Sequence, residues 1–167
     1  MGSYKDNVFR ANVGAMIINS RGQVLALERA GIENAWQLPQ GGLEPGEEPW
    51  QGVLREVREE TGLQPECLER LAEHPEWLAY ELPPDKRTPK VGRGQVQKWF
   101  LLRLRAEYGE TIPLEKATDA EFSDWKWMEF DKLVDIVVGF RQPLYRRLRE
   151  EFGRYIVAGG TQKEGSA

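Results

Sequence analysis

The chain has 167 residues, 40% of them hydrophobic and 30% charged, and a formal net charge of −4. That length and apolar content suit one domain with a substantial core, and the acidic balance argues against a sequence-independent grip on long nucleic acid such as duplex DNA, which depends on neutralising many phosphates. The single cysteine, Cys67, excludes an internal disulfide and fits a reducing cytoplasm, no apolar run reaches the length of a membrane span, and the opening MGSYKDN lacks a signal-peptide core.

In chain order, residues 12–18 and 23–29 are apolar, β-branched stretches joined by Asn19-Ser20-Arg21-Gly22, which predicts a hairpin. Pro45-Gly46 marks a turn and Pro49 suits a first helical turn, while Gly62 supplies a left-handed stop followed by apolar Leu63. A helix is therefore expected from residues 47–49 to just before 62. Residues 68–80 read as a strand interrupted at Pro75, and 96–104 and 125–130 as later strands. Asp131 is expected to cap a short helix through Val138, and residues 143–157 to form an amphipathic helix with Leu144, Leu148, Phe152 and Tyr155 inward. Residues 1–8 read as a lead-in to a single domain over 9–157, and 158–167 (AGGTQKEGSA), with nothing to bury, as a flexible tail. The sum is an α/β protein with a mixed sheet between helices.

Chemistry concentrates on the first helix. At about 100° per residue, Trp50, Val53, Leu54 and Val57 form an apolar stripe, while Glu56, Glu59 and Glu60 gather on another face. Helical residues three or four apart hold their Cβ atoms about 5–6 Å from each other, so these carboxylates repel unless something positive lies between them. A hard divalent cation is the natural occupant. Oxygen ligands without His or Cys nearby favour Mg2+, or Mn2+, over zinc, and magnesium shares its coordination with substrate phosphates. The competing reading is a solvated face on which Arg55, Arg58 and the glutamates trade weak surface ion pairs. Gly41-Gly42 before the helix, Glu47 near its start and Gly62 at its end favour the metal site.

Residues 41–63 resemble the Nudix box, G-x(5)-E-x(7)-R-E-U-x-E-E-x-G-U with U a bulky aliphatic residue. Gly41, Glu47, Arg55, Glu56, Val57, Glu59, Glu60, Gly62 and Leu63 meet every fixed position. The resemblance implies a Nudix-like α/β/α sandwich and hydrolysis of a nucleoside diphosphate linked to another group. It makes Glu56, Glu59 and Glu60 the metal ligands and Arg55 the residue that orients them by ion pairing. Beyond the box, FRANVGAMIIN (9–19), WQLPQGG (36–42), QKWFLL (97–102), EFSDWKWM (121–128) and FRQPLYRRL (140–148) are similar to bacterial RNA pyrophosphohydrolases and related dinucleoside polyphosphate hydrolases. Two departures are Ala11, where those enzymes usually carry proline, and a longer connection at 31–35.

The same resemblance makes Glu121 a further metal ligand from outside the box, and either Glu60 or Glu121 the acceptor of the attacking water's proton. It brings Arg10, Arg29 and Lys98 to the substrate's phosphates or base, Tyr80 to a phosphate, and Phe140 to a stacking position on a base. Each has an ordinary alternative: exposed loop acid, surface cation, half-buried strand tyrosine, core phenylalanine. Lys86, Arg87, Lys90, Arg93 and Lys98, opposed by Asp85 alone, read as a solvated basic loop or as an attractor for a polyphosphate tail. Trp36, Trp50, Trp99, Trp125 and Trp127 are expected in core or walls, and Cys67 and His74 in ordinary packing. The favoured substrate is the 5′ triphosphate end of RNA, with diadenosine tetraphosphate second and sugar nucleotides or ADP-ribose behind. A noncatalytic nucleotide or RNA module and a protein-binding scaffold are the readings from other classes.

Overall fold

The computed structural model describes residues 8–164, with side chains through Ile156; residues 1–7 of the expected lead-in and the last three residues of the expected tail lie outside the described residues. In chain order the elements are β1 (Phe9–Ile18), β2 (Val24–Arg29), β3 (Trp36–Gln37), β4 (Gln40–Gly42), α1 (Pro49–Thr61), β5 (Leu68–Glu73), β6 (Leu78–Glu81), β7 (Gly94–Leu104), β8 (Phe122–Met128), α2 (Phe130–Ile136) and α3 (Gln142–Glu164).

β1 and β2 form the expected hairpin, with Ile18 opposite Val24, and Asn19 shapes its turn by accepting the Arg21 and Gln23 amides on Oδ1, both at 3.0 Å. β1 also runs parallel to β7, from Phe9 opposite Gly94 to Ile18 opposite Arg103, so a long crossover must join them. α1, β5 and β6 lie within that crossover. β5 and β6 flank Pro75 and both pair antiparallel with β7, while β8 pairs antiparallel with β2. The sheet is therefore mixed.

Both faces of the sheet are covered, which explains why β1 is buried without alternation from Asn12 onward. Val13, Ala15 and Ile17 face α1, joining Val53, Val57, Phe100 and Leu102 in one core. Met16, Ile18, Trp99 and Leu101 face α2 and α3, joining Leu133, Leu144, Leu148 and Phe152 in the other. This is the expected α/β/α sandwich, with α1 alone on one side.

Some boundaries differ from expectation. β8 ends at Met128 because Phe130 turns into the core as the first residue of α2, so Asp131 is not the cap. It sits in the first helical turn and pairs with Arg149 at 2.8 Å. α3 continues to Glu164 instead of stopping at Val157, through much of the segment expected as tail. β3 and β4, of two and three residues, are too short to show alternation and were not anticipated. No helix among the described residues is long and apolar enough to cross a membrane.

Candidate active site

α1 begins at Pro49 and stops at Gly62, whose left-handed φ of 80° lets its amide donate to Arg58 O at 2.9 Å. A Cβ on Gly62 would lie 2.3 Å from Pro113 O, so the stop also admits the loop that leads to Glu121. That loop is fastened to α1 by the Asp119 amide donating to Glu59 O at 3.0 Å. At the other end of the helix, β4 passes directly over the acidic face: a Cβ on Gly41 would come 2.1 Å from Glu56 Cδ. Glu56 is consequently 8% exposed and Glu60 1% exposed, which contradicts the solvated-face reading for these two residues.

Arg55 organises the acids around it. Its Nε and Nη2 donate to Glu47 Oε2 and Oε1, both at 2.8 Å, and Nη2 also donates to Gly42 O at 2.8 Å. Nη1 donates to Glu56 Oε1 at 2.8 Å and Glu59 Oε2 at 3.1 Å. The positive charge required between the helix glutamates is thus supplied partly by the box's own arginine. Hydrogen bonding from Arg55 holds the Glu47 carboxyl below its usual range, and Glu47 in turn pushes the guanidinium further from deprotonation.

Glu60 has the opposite environment. Its Oε2 accepts the Gln40 amide at 3.2 Å, but its buried Oε1 has no hydrogen-bond partner. Burial, then repulsion from Glu56 and Glu121, pushes its pKa well above the usual carboxylate value. Glu56 is raised by burial against the lowering effect of Arg55. Glu121 is raised by burial and by Asp119, with Arg29 and Arg141 pulling it back. Among the described residues no three acidic, histidine or cysteine side chains already stand at metal-holding geometry. The four expected ligands are neighbours through their charge, and Arg55 draws Glu56 and Glu59 toward itself. An orphaned buried carboxylate oxygen among mutually repelling acids nevertheless fits a hard divalent cation.

Glu121 lines a cavity of about 430 Å³ whose walls include Arg29, Trp36, Gln40, Tyr80, Gln95, Phe140 and Arg141. Phe140 stacks on Tyr80 at 5.7 Å between centroids, and the Tyr80 hydroxyl donates to Gln95 Oε1 at 2.7 Å. The structure thus brings Glu121, Arg29, Tyr80 and Phe140 together at one cavity.

Two of the expected binding residues stand elsewhere. Lys98 turns to the other face of β7, where Nζ donates to His74 O at 2.6 Å and pairs with Glu73 at 3.4 Å. Arg10 donates to Pro89 O and lines a neighbouring cleft with Phe9, Lys90 and Gln95. The basic loop also has more opposition than Asp85, since Glu81 pairs with both Arg87 and Arg93, leaving Lys86 at the cavity and Lys90 at the cleft. Trp36 and Trp99 are buried and Trp50, Trp125 and Trp127 pack against the core, as expected.

Sequence reasoning missed Arg141, Gln37, Gln40, Gln95, Gln97 and Tyr145. Arg141 Nη1 donates to Gln37 Oε1 at 2.9 Å, while Tyr145, its hydroxyl raised to about 12 by burial, accepts the Leu38 amide at 2.8 Å. Alternating glutamines at 95 and 97, entering the apolar run Trp99 to Leu102, were the available signal: polar side chains in a sheet interior must be bonded to something.

Residues 8–152 match the family described as the NUDIX domain. An RNA pyrophosphohydrolase from Pseudoalteromonas translucida (strain TAC 125) is 44% identical over 150 residues, covering 88% of this chain and 86% of that protein. Nudix hydrolase 25 of Arabidopsis thaliana is 39% identical over 157 residues, covering 89% and 88%. Among solved structures, a C. elegans Ap4A hydrolase binary complex has the same fold, with a TM-score of 0.65 and 23% identity over 86% of this chain and 98% of that one. So does the E. coli dihydroneopterin triphosphate pyrophosphohydrolase, with a TM-score of 0.66 and 21% identity over 84% and 97%.

Proposed function

This chain belongs to the Nudix hydrolase family, and from that premise we propose that it hydrolyses the 5′ triphosphate ends of RNA to monophosphate ends. The observation that carries the reading is Glu60: a buried carboxylate with one unpartnered oxygen, facing Glu56 and Glu121. Such an arrangement costs stability unless a cation completes it.

Nudix hydrolases depend on a divalent metal, and oxygen-only donors favour magnesium here, with manganese as an alternative. Glu56, Glu59, Glu60 and Glu121 would hold it. When bound, it would neutralise phosphate oxygens and lower the pKa of water. Arg55 keeps Glu56 and Glu59 oriented, Arg29 and Arg141 face Glu121 and the incoming phosphates, and Phe140 offers its ring to a base. Glu60 or Glu121 accepts the proton from water as it attacks phosphorus. The lone free cysteine accords with a cytoplasmic enzyme.

A second reading, dinucleoside polyphosphate hydrolysis, draws on the cleft beside Arg10. It adjoins the main cavity through Val91 and Gln95, and its half-exposed Phe9 offers a second base a stacking face. Specificity constants measured in magnesium on triphosphorylated RNA and diadenosine tetraphosphate separate the two. RNA is expected to be the better substrate; a large preference for the dinucleotide would overturn that ranking.

A further inference from the structure

We propose that Gln40 and Gln95 bind the substrate's phosphate oxygens, presenting amide N–H donors whose direction is set from beneath by Trp99 acting through Gln97. The proposal rests on the hydrolase reading and adds to it a neutral binding surface and two positioning residues.

The direction follows from one group that has no choice. An indole Nε1–H can only donate, and that of fully buried Trp99 donates to Gln97 Oε1 at 2.9 Å. Gln97 is also fully buried, and with its oxygen taken its Nε2 must donate. It does so twice, to Gln40 Oε1 at 2.6 Å and to Gln95 Oε1 at 2.7 Å. Both Nε2 hydrogens of Gln97 are thereby used and its Oε1 is engaged, and reversing its amide would set nitrogen against the indole donor.

Gln40 and Gln95 therefore point their oxygens inward. Gln95 is fixed twice more, since Asn12 Nδ2 at 2.9 Å and the Tyr80 hydroxyl at 2.7 Å donate to the same Oε1. Oxygen and nitrogen occupy opposite prongs of a carboxamide, so both Nε2 groups are left facing away from the network. Both residues line the cavity, and neither Nε2 has a hydrogen-bond partner among the described residues.

Donors that cannot reverse suit a ligand that only accepts. Phosphate oxygens only accept, whereas a base edge mixes donors and acceptors. Position agrees: the Gln40 backbone amide reaches Glu60, and Gln95 lines the same cavity as Glu121. Neutral donors are appropriate there. The charges of Arg29 and Arg141 on the same cavity wall are shared with Glu121, whereas a neutral amide keeps its hydrogens for the substrate.

The test measures binding of a nonhydrolysable bis-methylene analogue of adenosine triphosphate, and of adenosine, to wild type and to Gln95→Glu, Gln95→Met and Trp99→Phe. Gln95→Glu keeps an oxygen for Gln97, Tyr80 and Asn12 and so retains the network. It is expected to weaken the triphosphate analogue by about tenfold or more and leave adenosine within about twofold. Gln95→Met, which adds no charge, is expected to lose about three- to tenfold for the analogue alone. Trp99→Phe, which frees Gln97 to reverse, is expected to produce the same split between the two ligands. Unchanged analogue binding in the Gln95 variants, loss in Gln95→Glu only, or equal loss of both ligands would overturn the proposal. A wild-type protein that binds no triphosphate analogue contradicts the hydrolase reading as well, so the two failures are distinguishable.

Discussion

Arg55 and Glu47, eight residues apart, meet fork to fork through two 2.8 Å hydrogen bonds, and the remaining prong of the guanidinium holds Glu56 and Glu59. Glu47 thus aims the helix acids without touching them. Both side chains are largely buried, so the pairing has a fixed geometry that solvent does not loosen.

Replacing Arg55 by lysine keeps the charge but loses the fork, and Glu56 and Glu59 lose their shared anchor. Turnover is expected to fall about 10- to 100-fold, the usual scale for groups that orient metal ligands. Steady-state kinetics across a magnesium titration checks this. Activity within twofold of wild type would show that the fork does not orient the acids.

Glu60→Gln is expected to stabilise the metal-free protein at neutral pH. The folded-state pKa of Glu60 lies above its ordinary value of 4.5, so the folded state binds the proton more tightly than the unfolded state. Below pH 4.5 the acid is neutral in both states and the variant gains little. As pH rises from there through the folded-state pKa, wild type loses stability that glutamine does not lose. A gain of order 1 kcal/mol corresponds to roughly 2–4 °C in Tm at this chain length. Melting curves in chelator from pH 4 to 8 should diverge with rising pH; curves separated by the same amount throughout contradict the account.

Gly41→Ala drives a methyl group into the Glu56 carboxyl, which a Cβ would meet at 2.1 Å. Either β4 lifts from β1 or Glu56 is displaced. Activity is expected to fall about tenfold or more, with a stability loss on the 1–3 kcal/mol scale of overpacked interiors. Denaturant unfolding alongside kinetics tests both parts.

Phe140→Ala removes the ring stacked on Tyr80 at the cavity wall. Base stacking contributes roughly 1–3 kcal/mol per base, so KM for triphosphorylated RNA should rise about five- to 150-fold. Inorganic tripolyphosphate, which has no base, should inhibit the variant and wild type alike. Equal weakening of both ligands would make Phe140 a packing residue only.

How far the sequence reaches is visible in particular residues. The hairpin, α1 with its glycine stop, and the layering of α3 were legible because turn chemistry and apolar periodicity are local. The grouping of Glu56, Glu59 and Glu60 on one face of α1 was legible through helical spacing, while Glu121 was reached only through the resemblance outside the box. The burial of Glu56 and Glu60 was not, since it comes from β4, three residues without a periodic signature laid over the helix by pairing with β1. The engagement of Lys98 was hidden for a related reason: strand alternation puts it on the opposite face from Gln97 and Trp99, and its partners Glu73 and His74 are brought there by the pairing of β5 with β7. Arg141 and the glutamine network were missed because a buried polar side chain gains its meaning only from partners distant in sequence.

The most direct measurement is turnover of triphosphorylated RNA by Glu60→Gln at saturating magnesium, beside its affinity for the same RNA. A folded variant that binds RNA within a few-fold but turns over about 100-fold more slowly or worse is the predicted result. Wild-type turnover by that variant would mean that the buried carboxylate plays no part in cleaving phosphoanhydrides.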